Sequence, residues 1–397
     1  MEIEVLKIDT PSLGDRSYLA HDGTTAVIVD PQRDIDRFNE LLIKQNLKLG
    51  AVIETHIHND YISGGLQLSR EHGVPYLISR DDNVKFDRFA VVDQQEINVG
   101  SFGLKVRKTP GHTYNHLSYE LHSAENKVVA LFTGGSLLHG STGRPDLLGW
   151  EHAAELAGLQ FDSAHLLVAS LDDEVEIFPT HGFGSYSSAT QTLADFSKVK
   201  DEKYLNPVFI ENRDTYINKT LEALDVYPTY FKFTAPRNID GPGTIDLTRP
   251  REVSFRELQE VIESGGWVVD LRNREQWAIQ HLAGSVSLGL DGSFASYLGW
   301  LHPIDYPLYL TSDNASDIAI AQRELVRIGI DRPTASHFGK LENSLDLKNI
   351  RVVKFSDLPS VIGSSEVAVL DVRQVHERRK SFISPSIFIP FYEIESP

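Results

Sequence analysis

Four histidines and one aspartate have the types and spacing for metal chemistry. Thr55-His56-Ile57-His58-Asn59-Asp60-Tyr61 directly follows the apolar run AVIE. In an extended chain, residues two apart lie on the same side, so His56, His58 and Asp60 share a side at a strand end. Neutral imidazoles and a carboxylate converging there make a metal site. His112 lies in Thr109-Pro110-Gly111-His112 after the strand LKVRKTP, and His181 in Pro179-Thr180-His181-Gly182 after EVEIF. Three strand ends that each deliver histidine to a loop read as an active site along one edge of a sheet layer.

Composition leaves these histidines as the main carriers of chemistry. The 397 residues include no cysteine, which excludes disulfides, thiolate-bound zinc and a cysteine nucleophile. Lys and Arg number 38 against 56 Asp and Glu, for a net charge of −18. That acidity opposes binding to nucleic acid or anionic lipid, so neither is expected as a partner. No apolar run is long enough for a membrane span, and MEIEVLKIDT lacks the basic-then-apolar start of a secretion signal. A cytoplasmic location is the expectation.

The elements that position these residues follow from periodicity. Residues 24–30, 51–55, 127–133 and 174–180 read as strands, and 34–46, 64–73, 151–169 and 206–224 as helices. His116 is placed at the start of the strand HLSYEL. TAPRNIDGPGTIDLTRP, residues 234–250, is rich in Pro and Gly and reads as a linker. Beyond it the chain repeats: Trp267-Val-Val-Asp-Leu-Arg272 is matched by Ala368-Val-Leu-Asp-Val-Arg373, with Asp270 and Asp371 101 positions apart. Two copies of one α/β unit is the natural reading.

Taken together, the motifs resemble the metallo-β-lactamase fold, an αββα sandwich of two mixed sheets covered by helices. Its pattern is His-x-His-x-Asp-His, Thr-Pro-Gly-His, Phe-Thr-Gly-Asp and a final His-Gly. Gly143-Arg144-Pro145-Asp146-Leu147 extends the resemblance to the branch of persulfide dioxygenases and glyoxalase II-like hydrolases. The repeat is similar to rhodanese domains, so the whole resembles persulfide dioxygenase–rhodanese fusions. The implied class is α/β (α+β), a metallo-β-lactamase sandwich followed by rhodanese-like units. The implied organisation is a metallo-β-lactamase-like domain at 1–235, a linker at 236–249, a rhodanese-like domain without catalytic cysteine at 250–345, and an incomplete second unit at 346–397. The strand YPLYL, 306–310, leads to Thr311-Ser312-Asp313-Asn314 where a rhodanese carries its cysteine.

Two departures from the family pattern bear on function. Tyr61 stands where the family has His, and Gly135 where it has a metal-binding Asp. By resemblance, a dioxygenase would hold iron through His56, His112 and the residue at 135, so its two-His-one-carboxylate triad is broken. His56, His58 and His112 remain as a three-histidine site, with Asp60 and His181 left from the second metal position. One divalent ion, Fe(II) or Zn(II), either weakly held or absent, is expected. Asp60 is the candidate base; Tyr61, Arg144 and Asp146 support the site, and His139 is a possible substitute ligand. The implied activity is oxidation of a small thiol persulfide to sulfite, impaired by the lost ligands. The alternatives are a zinc-dependent ester or thioester hydrolase on the three histidines, and a non-catalytic assembly protein. A homo-oligomer is expected.

Overall fold

The computed structural model describes residues 3–190, 194–304, 306–341, 346–362 and 367–394. The chain divides into two compact units, one of Met1–Tyr227, Phe231–Ile245 and Val326–Gly329, the other of Pro228–Tyr230, Asp246–Leu325 and Ile330–Pro397.

The first unit contains two sheets. β1 (Glu4–Thr10), β2 (Asp15–His21), β3 (Thr25–Val29), β4 (Lys48–Ile53), β5 (Tyr76–Ser79) and β6 (Phe89–Val91) lie side by side in that order. β1 to β3 are antiparallel, and β3 to β6 are parallel. The second sheet has β7 (Glu96–Val99), β8 (Phe102–Lys108), β9 (Leu117–His122), β10 (Val128–Gly134) and β11 (Glu176–Pro179), in the order β11-β10-β9-β8-β7. Only its β10–β11 pair is parallel.

Side-chain alternation explains how the sheets pack. In β3, Val27 and Val29 join Tyr18, Ile53, Val106, Tyr119, Phe132 and Phe178 in a core drawn from both sheets. Ala26 and Ile28 belong instead to a cluster with Phe38 and Leu42 of α1 (Asp36–Lys44) and Leu68 of α2 (Gly65–His72). Each face of β3 is thus buried, as the period of two requires. A third cluster joins Leu131 and Ile177 of the second sheet to Leu167 of α3 (Trp150–Val168) and Val199 of α4 (Val199–Leu205). It also takes in Val208 of α5 (Pro207–Ile210) and Tyr216 of α6 (Arg213–Ala223). The layers are helix, sheet, sheet, helix. The helix expected over 206–224 is two helices, because Asn206 and Asn212 each accept a backbone N–H and start a new one.

The expected linker at 236–249 begins as helix: α7 runs Phe231–Asp240 with Pro236 inside it. Proline removes only one helical N–H, and Phe231, Thr234 and Asn238 bury the helix face. No helix among the described residues is long and apolar enough to cross a membrane.

The second unit has a parallel sheet of β12 (Arg251–Glu252), β13 (Trp267–Asp270), β15 (Val286–Ser287), β16 (Leu308–Ser312) and β17 (Ala335–Phe338), in the order β12-β17-β16-β13-β15. The short β14 (His281–Leu282) pairs outside it with β18 (Leu347–Lys348). Parallel neighbours need crossovers, here including α8 (Phe255–Glu263), α9 (Arg274–Ile279), α10 (Phe294–Leu301) and α11 (Ala315–Arg327). The repeat shows in three dimensions. β13 pairs with β15 through Val269↔Val286, and β19 (Leu370–Asp371) pairs with β20 (Ile387–Phe388) through Leu370↔Ile387. Each partner is shifted by the same 101 positions as the two aspartates. The expected boundary at 345/346 touches residues 342–345, which lie outside the described residues.

Candidate metal centre

The functional side chains follow strand ends of the first unit: Asp30 after β3, Glu54 to Asp60 after β4, His112 after β8, Gly135 after β10 and His181 after β11. The His56 ring centroid lies 4.1 Å from that of His58, 4.7 Å from His112 and 5.3 Å from His181, and His112 and His181 are 5.3 Å apart. All four histidines are buried.

Hydrogen bonds to the far side of each ring fix which nitrogen keeps a lone pair. Thr55 donates its hydroxyl to Asp30 Oδ2 at 2.7 Å, so it accepts from His56 Nδ1 at 2.9 Å and leaves His56 Nε2 as the acceptor atom. His112 Nδ1 donates to the Arg144 carbonyl at 2.8 Å, and its buried Nε2 has no hydrogen-bond partner among the described residues. His181 Nδ1 faces two carboxylates, Asp15 at 2.9 Å and Asp60 at 3.0 Å, and its Nε2 lies 3.3 Å from His56 Nε2. His56, His112 and His181 therefore offer three ligand atoms mutually within 4.8 Å. The donor chemistry fits a zinc-type cation, for which imidazole Nε2 is an ordinary ligand.

His58 is held differently. Its Nε2 lies 3.0 Å from Glu54, 3.0 Å from the Tyr61 hydroxyl and 3.3 Å from Asp30, so this nitrogen carries a proton. Of the trio expected from sequence, His56, His58 and His112, His58 keeps a buried Nδ1 without a hydrogen-bond partner among the described residues, but the mutually close ligand atoms group differently. His181 joins His56 and His112, while His58 groups with Asp60 and His181, and also with Asp30 and Glu54. The cause is the pair of carboxylates beside His58. Tyr61 stacks on His58 at 4.3 Å and donates to the Asp30 carbonyl. Burial and then Asp30 and Glu54 push the Tyr61 phenol well above its ordinary range, so it stays neutral and orients His58.

Electrostatics separate the rings. Burial, then its histidine neighbours, hold His56 well below the ordinary value and His112 at about 3; both are neutral. Burial also opposes charge on His58 and His181. Asp30 outweighs it at His58, raised to about 10, and Asp60 and Asp15 outweigh it at His181, raised to about 9. Burial and the Asp60 charge push Asp15 up to about 7. Asp60 resists the same burial because His181 faces it, and stays below the usual carboxylate range. Its Oδ2 also accepts from Ser187 at 2.7 Å.

Arg144 grips Asp146 with two hydrogen bonds, at 2.7 and 2.8 Å, and stacks over Tyr227, fixing the carbonyl that orients His112. His139 is not a ligand here: its ring nitrogens face the Ala194 and Ile177 carbonyls. His116 was placed only as a strand start, yet it is buried within the cluster, stacks 4.9 Å from His56, and accepts from the Gly135 N–H. Asp15, Asp30 and Glu54 were missed. Asp30 and Glu54 do end apolar runs, TAVIVD and AVIE, and that position was their one visible signal.

Sequence and structure comparisons support the fold. The pattern of the Metallo-beta-lactamase superfamily matches residues 15–205. The chain is 31% identical over 191 residues to the hydroxyacylglutathione hydrolase of Francisella tularensis subsp. novicida, covering 47% of this chain and 71% of that one. Against the hydrolase of Francisella philomiragia it spans 64% of the relative's length. It is 29% identical over 230 residues to the human mitochondrial persulfide dioxygenase, covering 57% of this chain and 81% of the relative. A metallo-beta-lactamase from Staphylococcus aureus superposes with a TM-score of 0.75 at 25% identity, over 85% of this chain and 99% of that one. The chain belongs to the metallo-β-lactamase superfamily.

Proposed function

We propose that the chain is a metal-dependent enzyme that hydrolyses a thioester of a small thiol. The observation that carries this reading is the convergence of His56 Nε2, His112 Nε2 and His181 Nε2, each ring fixed from its far side. A zinc ion held by these three would supply a Lewis acid and a water of lowered pKa. Asp60, a carboxylate set against His181 at the edge of the three-histidine group, would take a proton from the attacking water. Ser187 and His181 hold its carboxylate in place. The burial of the cluster limits competing water. The hydroxyacylglutathione hydrolase relatives support the substrate class.

A second reading is oxidation of a thiol persulfide. It is favoured by a different donor group, His58, Asp60 and His181, which is a two-His-one-carboxylate set suited to Fe(II), and by the persulfide dioxygenase relative. The test is metal analysis of protein purified without chelators, with two assays in parallel. Zinc near one per chain with hydrolysis of a glutathione thioester supports the first reading. Iron with O₂ uptake on glutathione persulfide replaces it with the second. No metal and no turnover overturns both.

We also read 250–345 as a rhodanese-like unit without catalytic cysteine and 346–397 as a partial second copy. The parallel sheet and the repeated Asp–Arg geometry support this.

A further inference from the structure

We infer that Gly135 and Gly143 form a backbone seat for the His112 ring, so that the centre takes a zinc-type cation through imidazoles and refuses a carboxylate at position 135. This rests on the metal-binding reading above, and it changes the meaning of Gly135 from a lost ligand to a required shape.

A Cβ on Gly135 would stand 2.7 Å from Cγ and 2.9 Å from Nε2 of His112. A Cβ on Gly143 would stand 2.8 Å from His112 Cγ, and nearer still to Nδ1 and to the Gly135 carbonyl. Non-bonded carbon atoms sit about 3.5–4.0 Å apart at best. The imidazole therefore fills the volume into which a side chain at 135 would project.

All three parts are tethered. The Gly135 N–H donates to His116 Nε2 at 2.9 Å, and its carbonyl accepts from the Gly143 N–H at 2.8 Å. The preceding Gly134 has φ +53°, a backbone conformation that favours glycine, which fixes the turn from the other side. The His112 ring is tied through Nδ1 to the Arg144 carbonyl, and the Arg144 side chain is anchored on Asp146. What the seat leaves available is His112 Nε2, buried and without a hydrogen-bond partner, in reach of the His56 and His181 donors. Placing Asp at 135 thus displaces one histidine ligand as it adds a carboxylate. It does not rebuild a two-His-one-carboxylate iron site.

The experiment compares wild type, Gly135→Ala, Gly135→Asp and Gly143→Ala, each loaded with zinc or, without oxygen, with Fe(II). Wild type should bind zinc, and each variant should bind it at least ~10-fold more weakly. Gly135→Asp should gain no iron. Cobalt-loaded wild type should show the intense visible absorption of a four-coordinate ion, and the variants should lose it. A metal-free readout separates the seat from the ion. In chelator-treated protein, Gly135→Ala should lower the melting temperature in the wild-type background and much less alongside His112→Ala. Equal losses in both backgrounds, or iron uptake by Gly135→Asp, would overturn the inference. Wild type that takes up no metal would instead remove the functional reading, and the His112 cycle would still decide whether the seat exists.

Discussion

The Nε2 atoms of His56 and His181 stand 3.3 Å apart, although the two residues are 125 positions apart in the chain. Two nitrogens at adjacent corners of a tetrahedron with ~2.0–2.1 Å bonds to its centre lie about 3.3–3.4 Å from one another. Two lone pairs facing at that distance repel unless a proton or a cation lies between them. In the metal-free protein the His181 proton lies between them, and the same spacing suits an ion that displaces it, with His112 Nε2 available as a third donor.

From that spacing, His181→Ala should lower zinc affinity sharply. Losing a group that only orients a ligand costs ~10–100-fold, so losing His181 itself should cost at least that. His58→Ala should cost less, because Glu54 and Asp30 draw its Nε2 away. Competition with a chromogenic chelator measures both. A larger loss for His58→Ala would show that the ion sits elsewhere in the cluster.

The metal-free protein should lose stability as pH rises from neutral to strongly alkaline. His181 is raised from 6.5 to about 9 and His58 to about 10, so the stability their protons bring is fully present below 6.5. It is lost as pH climbs through those values. Asp15, raised from 3.8 to about 7 by burial and Asp60, acts in the same direction over a lower window. Zinc affinity should move the other way, because the ion displaces the His181 proton. Urea unfolding of chelator-treated protein at fixed pH values, with zinc titrations in the same buffers, checks both slopes. A flat zinc affinity between pH 6 and 9 would mean that no proton leaves.

The histidine motifs were legible because each is a short run at a strand end, where type and spacing carry the signal. Asp15 was not, since its role exists only where β2 meets a residue 166 positions away. Nor could the sequence show that His58 turns toward Glu54 and Asp30. That depends on the parallel pairing of β3 with β4, which brings the ends of both strands together. Gly135 was readable as a departure in residue type, but its contact with His112 is a matter of packed volume. The helix α7 was missed because Pro236 and the glycines after it look like linker, while the buried face comes from residues spaced along it.

Asp30 is the keystone of the strand-end layer, and its loss should be felt throughout the first unit. It is fully buried, and its carboxylate accepts from the Thr55 N–H and hydroxyl, both at 2.7 Å, and from the Thr180 hydroxyl. It also balances the charge on His58. Burial opposes its ionisation, but His58 and these donors hold it at about 2. Asp30→Ala leaves the donors and a buried cation without a partner, which should cost ~3–5 kcal/mol. Denaturant unfolding measures this, and Asp30→Asn, which keeps an acceptor, should lie between the variant and wild type.

The repeated Asp–Arg pair of the second unit makes the last prediction, because the two copies share geometry but not burial. Arg272 donates to Asp270 from Nε at 2.9 Å and Nη2 at 2.6 Å, and Nη2 also reaches the Gln280 carbonyl. Arg373 repeats this on Asp371, with Nη2 reaching Ser381. The Arg272 side chain is 10% exposed, and that of Arg373 is 40%. Solvent and salt screen the second pair far more than the first. Asp270→Ala, which strands a mostly buried guanidinium beside β13, should cost ~2–3 kcal/mol. Asp371→Ala should alter only local protection around β19 and β20, in a manner sensitive to salt. Hydrogen exchange read by mass spectrometry distinguishes the two. Loss of protection across β13, β15 and β16 in the Asp371 variant would show that the copies are energetically joined, and equal small effects would mean that burial does not set the strength of this pair.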